Sequence, residues 1–183
     1  MSRIFVFNWI SVDGIFSGPD GATDWFTHDA ELDQANREIL DSADTILFGR
    51  VTFKMMESFW PTAGAAEQFP DVARYMSRAA KHTFSTTVTG STWENSFFYK
   101  EISPESIAAI RKTAGNDIVV FGSGMVCNTL LRNGWIDTYT LLLDPQLMGR
   151  GRRFFTDVPP TALRLKETRT FPSGIVRLDY DVV

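Results

Sequence analysis

Residues 117–126 read DIVVFGSGMV, and this stretch decides the fold class of the 183-residue chain. Asp117 to Phe121 is a run of β-branched and aromatic residues, typical of a strand buried on both faces of a parallel sheet. The run leads into Gly122-Ser123-Gly124, after which a helix is predicted from Met125 to Arg132. Repetition of such strand–turn–helix units builds an α/β domain with a parallel sheet.

The same alternation of strands and helices extends over most of the chain. Dense apolar runs predict strands, and apolar residues at helical spacing or capping signals such as Ser103-Pro104-Glu105 predict helices. In the first half of the chain the predicted order is strand Arg3–Ile10, loop Ser11–Thr27, helix Asp29–Asp41, strand Thr45–Phe48, helix Thr52–Trp60, a helix opened by Pro70 and strand His82–Ser85. A helix that begins after Ser103 and that Gly115 ends, strand 117–121, helix Met125–Arg132 and strand Trp135–Asp144 are predicted to follow. In the helix Thr52–Trp60, Met55, Met56 and Phe59 are expected to point inward.

The last twenty residues follow a different pattern. From Val176 to Val182 apolar residues alternate with charged ones, which is the period of a half-exposed antiparallel strand. Pro172-Ser173-Gly174 supplies a turn from a preceding strand, Leu163–Phe171. We therefore predict a single α/β domain over residues 1–183, with a mainly parallel sheet, helices on both faces and a C-terminal antiparallel hairpin.

Composition excludes several classes of function. With one cysteine, Cys127, and two histidines, His28 and His82, the chain has no internal disulfide, no multi-cysteine metal site and no three-histidine site, so no metal is predicted. Cys127 is expected in the core, and each histidine at a structural or surface position. The net charge of −4 disfavours nucleic-acid binding, and no run is long and apolar enough to span a membrane. A cytoplasmic protein with neither nucleic-acid nor membrane partners is expected.

Two strand-to-helix turns are candidates for phosphate binding. Gly122-Ser123-Gly124 would let backbone amides approach a diphosphate at the start of a helix, although a tight turn without a ligand is the alternative. At the other turn, Gly49-Arg50-Val51-Thr52, Arg50 could clamp a phosphate, and a solvated arginine beside a helix cap is the alternative. Ligands of open α/β sheets bind at the edge where both turns lie. The two turns together therefore indicate a phosphate-binding site more strongly than either turn does alone.

Three further stretches carry residues suited to substrate binding. Asp13 opens the long loop after the first strand, and Asp29 lies at the start of the next helix, where a dipole partner is the alternative role. A carboxylate facing a heterocycle could bind a ring N–H or assist protonation of a C=N bond. The loop from Gly149 to Phe154 holds three arginines in four positions, either as an anion site or as a solvated basic loop.

Six short motifs occur in a familiar order: Ser11-Val12-Asp13-Gly14, Trp25 before a helix, Leu47-Phe48-Gly49-Arg50-x-Thr52, Val119-x-Phe121-Gly122-Ser123-Gly124, Ile136-Asp137-x-Tyr139 and Pro145-x-Leu147-x-Gly149-x-Gly151-x-x-Phe154. Together they resemble the dihydrofolate-reductase-like fold family, closest to the branch with the reductase domain of bacterial riboflavin biosynthesis. The resemblance covers essentially the whole chain. It implies a sheet of about eight strands, NADPH as the cofactor and a homodimer.

The resemblance also implies roles for individual residues. Gly49, Arg50 and Thr52 would hold the adenosine-side phosphates, with Arg50 on the 2′-phosphate and Ser85 and Thr86 beside it. Gly122, Ser123 and Gly124 would cradle the pyrophosphate, and the loop from Asp13 to Trp25 would cover the nicotinamide.

The hypothesis that follows is an NADPH-dependent reductase of a small pteridine- or pyrimidine-like heterocycle. Asp13 and Asp29 would position or protonate the substrate, Trp25 and Phe26 would stack on it, and Arg150 and Arg152 would bind a substrate anion. The alternatives are a nucleotide-binding protein without catalysis and a flavin-binding member of the fold. The chain lacks the proline that follows this tryptophan in dihydrofolate reductases and the zinc ligands of a deaminase, so the resemblance does not name the substrate.

Overall fold

The computed structural model describes residues 2–183 as an alternation of strands and helices. The elements are β1 (Ile4–Ser11), β2 (Ile15–Ser17), α1 (Ala30–Asp41), β3 (Ala43–Gly49), α2 (Arg50–Phe59), α3 (Ala63–Gln68), α4 (Pro70–Arg78), β4 (Ala80–Phe84), β5 (Ser96–Tyr99), α5 (Pro104–Thr113), β6 (Asp117–Phe121), α6 (Gly124–Arg132), β7 (Thr138–Asp144), β8 (Arg152–Arg153), β9 (Leu163–Thr170) and β10 (Val176–Val182).

Eight of the strands form one sheet in the order β5-β4-β3-β6-β1-β7-β10-β9. The six strands from β5 to β7 are parallel, β10 is antiparallel to β7, and β9 is antiparallel to β10. The short strands β2 and β8 pair with each other in a separate antiparallel ribbon. The predicted architecture, a mainly parallel sheet of about eight strands with a terminal antiparallel hairpin, is confirmed.

Helices cover both faces of the sheet because the central strands are apolar on both sides. On β1, Ile4 and Val6 belong to a core cluster that includes side chains of α5 and α6. The alternate residues, Phe5 and Phe7, belong to a second cluster with side chains of α1, α2 and α4. Cys127 is fully buried in the first cluster, where burial raises the pKa of its thiol, so the predicted core position is confirmed.

The predicted orientation of the second helix is right for Met56, which packs against the second core cluster, and wrong for Met55 and Phe59. α2 begins at Arg50, two residues earlier than expected, and its buried residues are Thr52 and Phe53. Met55 and Phe59, expected to point inward, are 40% and 39% exposed. Positions 55 and 59 are not on the face that Phe53 defines, since successive residues of a helix are rotated by about 100°.

The predictions of a single domain and of a cytoplasmic location stay predictions. Within residues 2–183, no helix is both long and apolar enough to cross a membrane.

Candidate functional site

The parallel part of the sheet has a notch at its carboxyl edge, beside β1. On one side β6 pairs with β1 only as far as Phe121, which lies opposite Phe7. On the other side β7 continues until Asp144 lies opposite Ser11. The last four residues of β1 therefore extend beyond β6. In α/β sheets, ligands bind at such carboxyl edges, where the chain connections diverge to opposite sides.

The turn from β6 into α6 has the backbone of a ligand-binding turn. Gly122 and Ser123 both adopt the left-handed conformation, with φ of +53° and +51°. A serine in this conformation is strained, and strained residues are concentrated at functional sites. The Ser123 side chain makes no capping hydrogen bond, so the first amides of α6 lack a side-chain partner at their cap. Free amides at a helix N-terminus attract anions.

The turn from β3 into α2 packs directly on this first turn. A Cβ atom on Gly49 would collide with the Ser123 hydroxyl, and one on Gly122 would lie 3.4 Å from Thr52 Oγ1. Gly49, the N-cap of α2, has no side chain to make a capping bond, so this helix start is uncapped as well. The structure thus brings together the residues predicted to bind phosphates: Gly49, Arg50, Thr52, Gly122, Ser123 and Gly124.

Arg50 is a free cation at this junction. Its side chain is exposed, and within residues 2–183 it makes no hydrogen bond or ion pair. A guanidinium without a protein partner, next to two uncapped helix N-termini, can bind a phosphate group at little cost in displaced contacts.

Ser85 and Thr86 follow the end of β4, next to β3, where Gly49 lies opposite Phe84. The Ser85 hydroxyl oxygen accepts hydrogen bonds from the Thr87 and Val88 amides, at 3.1 and 2.8 Å, and so shapes the turn. Thr86 is exposed at the tip of the same turn. Ser85 and Thr86 therefore lie at the same edge of the sheet as Gly49, and their binding role stays a prediction.

Asp13 joins the loop after β1 to the loop after β7. Its carboxylate accepts hydrogen bonds from Ser11 Oγ at 2.6 Å and from the amides of Met148 and Gly149 at 3.1 and 2.8 Å. These bonds, that of Ser11 first, lower the pKa of Asp13 to about 2. Asp13 is therefore ionised near neutral pH and holds the two loops together.

Asp29 is the N-cap of α1. Its side chain accepts hydrogen bonds from the Leu32 amide at 2.9 Å and from the Ser173 amide at 3.1 Å. Hydrogen bonding from Ser173, followed by that from Leu32, lowers the pKa of Asp29. The carboxylate thus begins the helix and also fastens the turn between β9 and β10 to it.

Trp25 and Phe26 belong to an aromatic group at the end of β1. The Phe26 ring stacks on Trp9, with centroids 5.2 Å apart and planes 9° apart, and Trp25 meets Phe26 edge-on at 4.7 Å. The indole nitrogen of Trp25 is buried and makes no hydrogen bond within the described residues. One face of Phe26 is thus occupied by Trp9, which sequence reasoning did not assign to the site.

The three loop arginines separate into two kinds. Arg153 donates a hydrogen bond to the Asp13 carbonyl oxygen at 3.3 Å. The side chains of Arg150 and Arg152 are exposed and, within residues 2–183, make no hydrogen bond or ion pair. The substrate-anion role of these two residues stays a prediction.

Asp144 is a site residue that the sequence analysis missed. It is fully buried at the end of β7 and accepts hydrogen bonds from the Thr27 amide at 2.8 Å, the Thr27 hydroxyl at 3.2 Å and Gln146 Nε2 at 2.8 Å. Gln146 Nε2 also donates to the Trp25 carbonyl oxygen at 2.8 Å. This network fixes the aromatic segment to the sheet. An aspartate that directly follows the apolar end of a strand was the available signal.

Comparison with known proteins gives results of three kinds. The profile of the RibD C-terminal domain family matches residues 3–177. The uncharacterized protein YyaP of Bacillus subtilis strain 168 is 27% identical over 179 residues, 97% of this chain and 94% of YyaP. Among solved structures, a putative riboflavin biosynthesis protein from Shewanella sp. PV-4 superposes with a TM-score of 0.79 at 19% identity, covering 99% of both chains.

A bifunctional enzyme from Thermotoga maritima is also similar in structure. It is a diaminohydroxyphosphoribosylaminopyrimidine deaminase and 5-amino-6-(5-phosphoribosylamino)uracil reductase, and it matches with a TM-score of 0.66 at 14% identity. The match covers all of this chain and 57% of the larger protein. At these identities the structural similarities establish the fold alone.

Proposed function

The chain belongs to the RibD C-terminal domain family, and on this premise we propose that it is an NADPH-dependent reductase of a small pteridine- or pyrimidine-like heterocycle. The fold is that of riboflavin-pathway reductases. The observation that carries the proposal is the pair of packed glycine turns, each opening an uncapped helix, with the partnerless Arg50 beside them.

The residues present fit a phosphorylated dinucleotide. A Cβ atom would lie 3.4 Å from Thr52 at Gly122 and 3.4 Å from the Phe16 ring at Gly124, so the two glycines allow the close packing of this turn. The first amides of α6 have no side-chain cap, and a diphosphate would bind to them. Arg50 would hold the 2′-phosphate of the adenosine, and Thr52 and Thr86 would lie beside it. When bound, NADPH would supply the hydride for the reduction.

The remaining site residues would bind and orient the substrate. Asp13 and Asp29 both have a lowered pKa, which favours acceptance of substrate N–H groups over donation of a proton. Trp25 and Phe26 would offer an aromatic surface to a flat ring, and Arg150 and Arg152 would bind an anionic substituent. The loop that contains β2 would limit the access of water.

A binding titration tests the cofactor assignment. The quenching of tryptophan fluorescence by NADPH, NADH and flavin mononucleotide would be measured on the wild type, Arg50→Ala and the control Arg74→Ala. Hydrogen bonds to charged groups contribute about 1.5–3 kcal/mol, so Arg50→Ala should weaken NADPH binding by about 10-fold or more. It should leave NADH binding nearly unchanged, because NADH lacks the 2′-phosphate.

Each alternative predicts a different outcome. If the wild type binds NADPH no better than NADH, or if Arg50→Ala retains the preference, Arg50 does not bind the 2′-phosphate. If flavin mononucleotide binds tightly and both nicotinamide cofactors do not, the flavin alternative replaces the proposal. Tight NADPH binding without oxidation by any of a panel of pteridines and pyrimidines favours a nucleotide-binding protein without catalysis.

A second copy of the chain is the proposed protein partner, with β9 at the interface. β9 is the terminal strand of the sheet, and nearly all of its residues are exposed. Leu163 and Leu165 are 39% and 51% exposed on it. A two-fold axis beside β9 would pair the two free edges and cover these side chains.

A further inference from the structure

Asn8 is a buried polar residue in the central strand, next to the glycine turn. The residue is 6% exposed. Alternate residues of a strand point to the same face, so Asn8 shares a face with Val6 and Ile10, which pack in the same cluster as α6. Since Phe7 lies opposite Phe121, Gly122 leaves the sheet beside Asn8. Asn8 and the start of α6 therefore adjoin the same notch.

The amide group of Asn8 uses only part of its hydrogen-bonding capacity. Its Nδ2 atom donates to the Trp9 carbonyl oxygen at 2.9 Å. Within residues 2–183 its Oδ1 atom accepts no hydrogen bond. The atom itself is not fully buried, so it is accessible and can accept a hydrogen bond from a ligand in the notch.

The order of the strands decides which part of a ligand reaches Asn8. The sequence β3-β6-β1 across the sheet puts the glycine turn after β6 between Arg50, after β3, and Asn8, on β1. If Arg50 binds the adenosine 2′-phosphate and the turn binds the diphosphate, the other end of the dinucleotide lies toward Asn8. Ile10, the next residue on the same face toward the end of β1, is apolar and suits a neutral ring rather than a further phosphate.

We propose that Asn8 Oδ1 accepts a hydrogen bond from the carboxamide N–H of the nicotinamide, and so positions that ring in the notch. This proposal rests on the proposed function, because it requires that the chain bind NADP. It makes Asn8 a contact for the nicotinamide half alone, whereas Arg50 contacts the adenosine half.

Three ligands distinguish this contact from a general effect on binding. They are NADP⁺, its 3-acetylpyridine analogue, in which a methyl group replaces the carboxamide NH₂, and 2′-phospho-ADP-ribose, which lacks the nicotinamide. Their dissociation constants would be measured by calorimetry on the wild type and Asn8→Ala. A neutral hydrogen bond corresponds to about 2- to 10-fold in affinity. Asn8→Ala should weaken NADP⁺ binding by this factor and leave 2′-phospho-ADP-ribose binding unchanged.

The acetylpyridine analogue provides the cross-check. The wild type should bind it about 2- to 10-fold more weakly than NADP⁺, whereas Asn8→Ala should bind the two alike. If Asn8→Ala retains the wild-type preference for NADP⁺ over the analogue, Asn8 does not contact the carboxamide. If the wild type binds neither NADP⁺ nor 2′-phospho-ADP-ribose, the proposed function fails instead.

The proposal can be tested even if Asn8→Ala fails to fold. Asn8→Leu replaces the amide with an apolar side chain of similar size, and its three dissociation constants should match those expected for Asn8→Ala. If neither variant folds, the wild type decides the question, since equal affinities for NADP⁺ and its acetylpyridine analogue would overturn the proposal.

Discussion

The acid sensitivity of the fold should come largely from one histidine, His82. The residue lies on β4, is 4% exposed, and stacks on Phe97 with ring centroids 5.0 Å apart. Its Nδ1 atom lies 3.1 Å from the Tyr99 hydroxyl oxygen. Burial lowers the pKa of His82 to about 4, because the charged imidazolium would lose its hydration in this position.

The sign and size of the effect follow from proton linkage. In the unfolded chain His82 takes up a proton near its ordinary pKa of about 6.5, whereas in the folded chain it does so near pH 4. Between these values the unfolded state binds more protons, so the free energy of unfolding decreases as the pH falls. The expected loss is about 2 kcal/mol at pH 5, and about 3 kcal/mol once the pH lies below 4.

Urea denaturation at pH 8 and pH 5 measures this loss, and the chain contains its own control. His82→Gln removes the titrating group and keeps a neutral polar side chain, while His28→Gln removes the chain's other histidine, which is exposed. The wild type and His28→Gln should each lose about 2 kcal/mol between the two pH values, and His82→Gln should lose much less. An equal loss in all three proteins would refute the assignment, because carboxylates would then carry the pH dependence.

Asp29→Ser keeps a helix-capping oxygen but removes the oxygen that accepts from the Ser173 amide, so the melting temperature should fall by only a few degrees. The rate of substrate-dependent NADPH oxidation should fall about 10-fold or more, because a charged hydrogen bond to a substrate N–H group is lost, and an unchanged rate would limit Asp29 to its structural role. Gly122→Ala and Gly134→Ala both place a side chain at positive φ, so urea denaturation should show that each costs about 1 kcal/mol. Only Gly122→Ala should weaken NADPH binding in a fluorescence titration, and equal affinities would exclude the turn from the site. Leu165→Lys should give a monomer in light scattering while the control Leu147→Lys stays dimeric, and a dimeric Leu165→Lys would remove β9 from the interface.

Those parts of the fold that depend on local pattern were predictable from the sequence. β6 spans Asp117 to Phe121 as predicted, because its apolar run is bounded by a polar residue and a glycine turn. The strand β2 was missed inside the predicted loop, because its pairing depends on distant residues: Ile15 pairs with Arg153. A three-residue strand has too few side chains to show a period, so only the tertiary structure reveals it.

The same distinction applies to the candidate site. The two glycine turns were predictable, since a turn between a strand and a helix is a local feature with its own residue types. The roles of Asp13 and Asp29 were not, because their hydrogen-bond donors include the amides of Gly149 and Ser173, more than 130 residues away. The sequence shows Asn8 as a polar residue in an apolar strand. Its position beside the turn into α6 was not predictable, because it depends on the point at which β6 ends.

Two carboxylates, Asp13 and Asp144, hold the two ends of the long loop that follows β1. Asp13 fixes the beginning of the loop to the segment after β7, and Asp144 fixes its end through Thr27. Between these anchors β2 is held by its pairing with β8, and the chain that follows forms its own tight turn, in which the Gly18 amide donates to the Ala22 carbonyl oxygen at 2.8 Å. Any movement of the loop is therefore expected after β2, in the turn from Gly18 to Ala22, while Asp13 and Thr27 stay fixed to the segment around the end of β7.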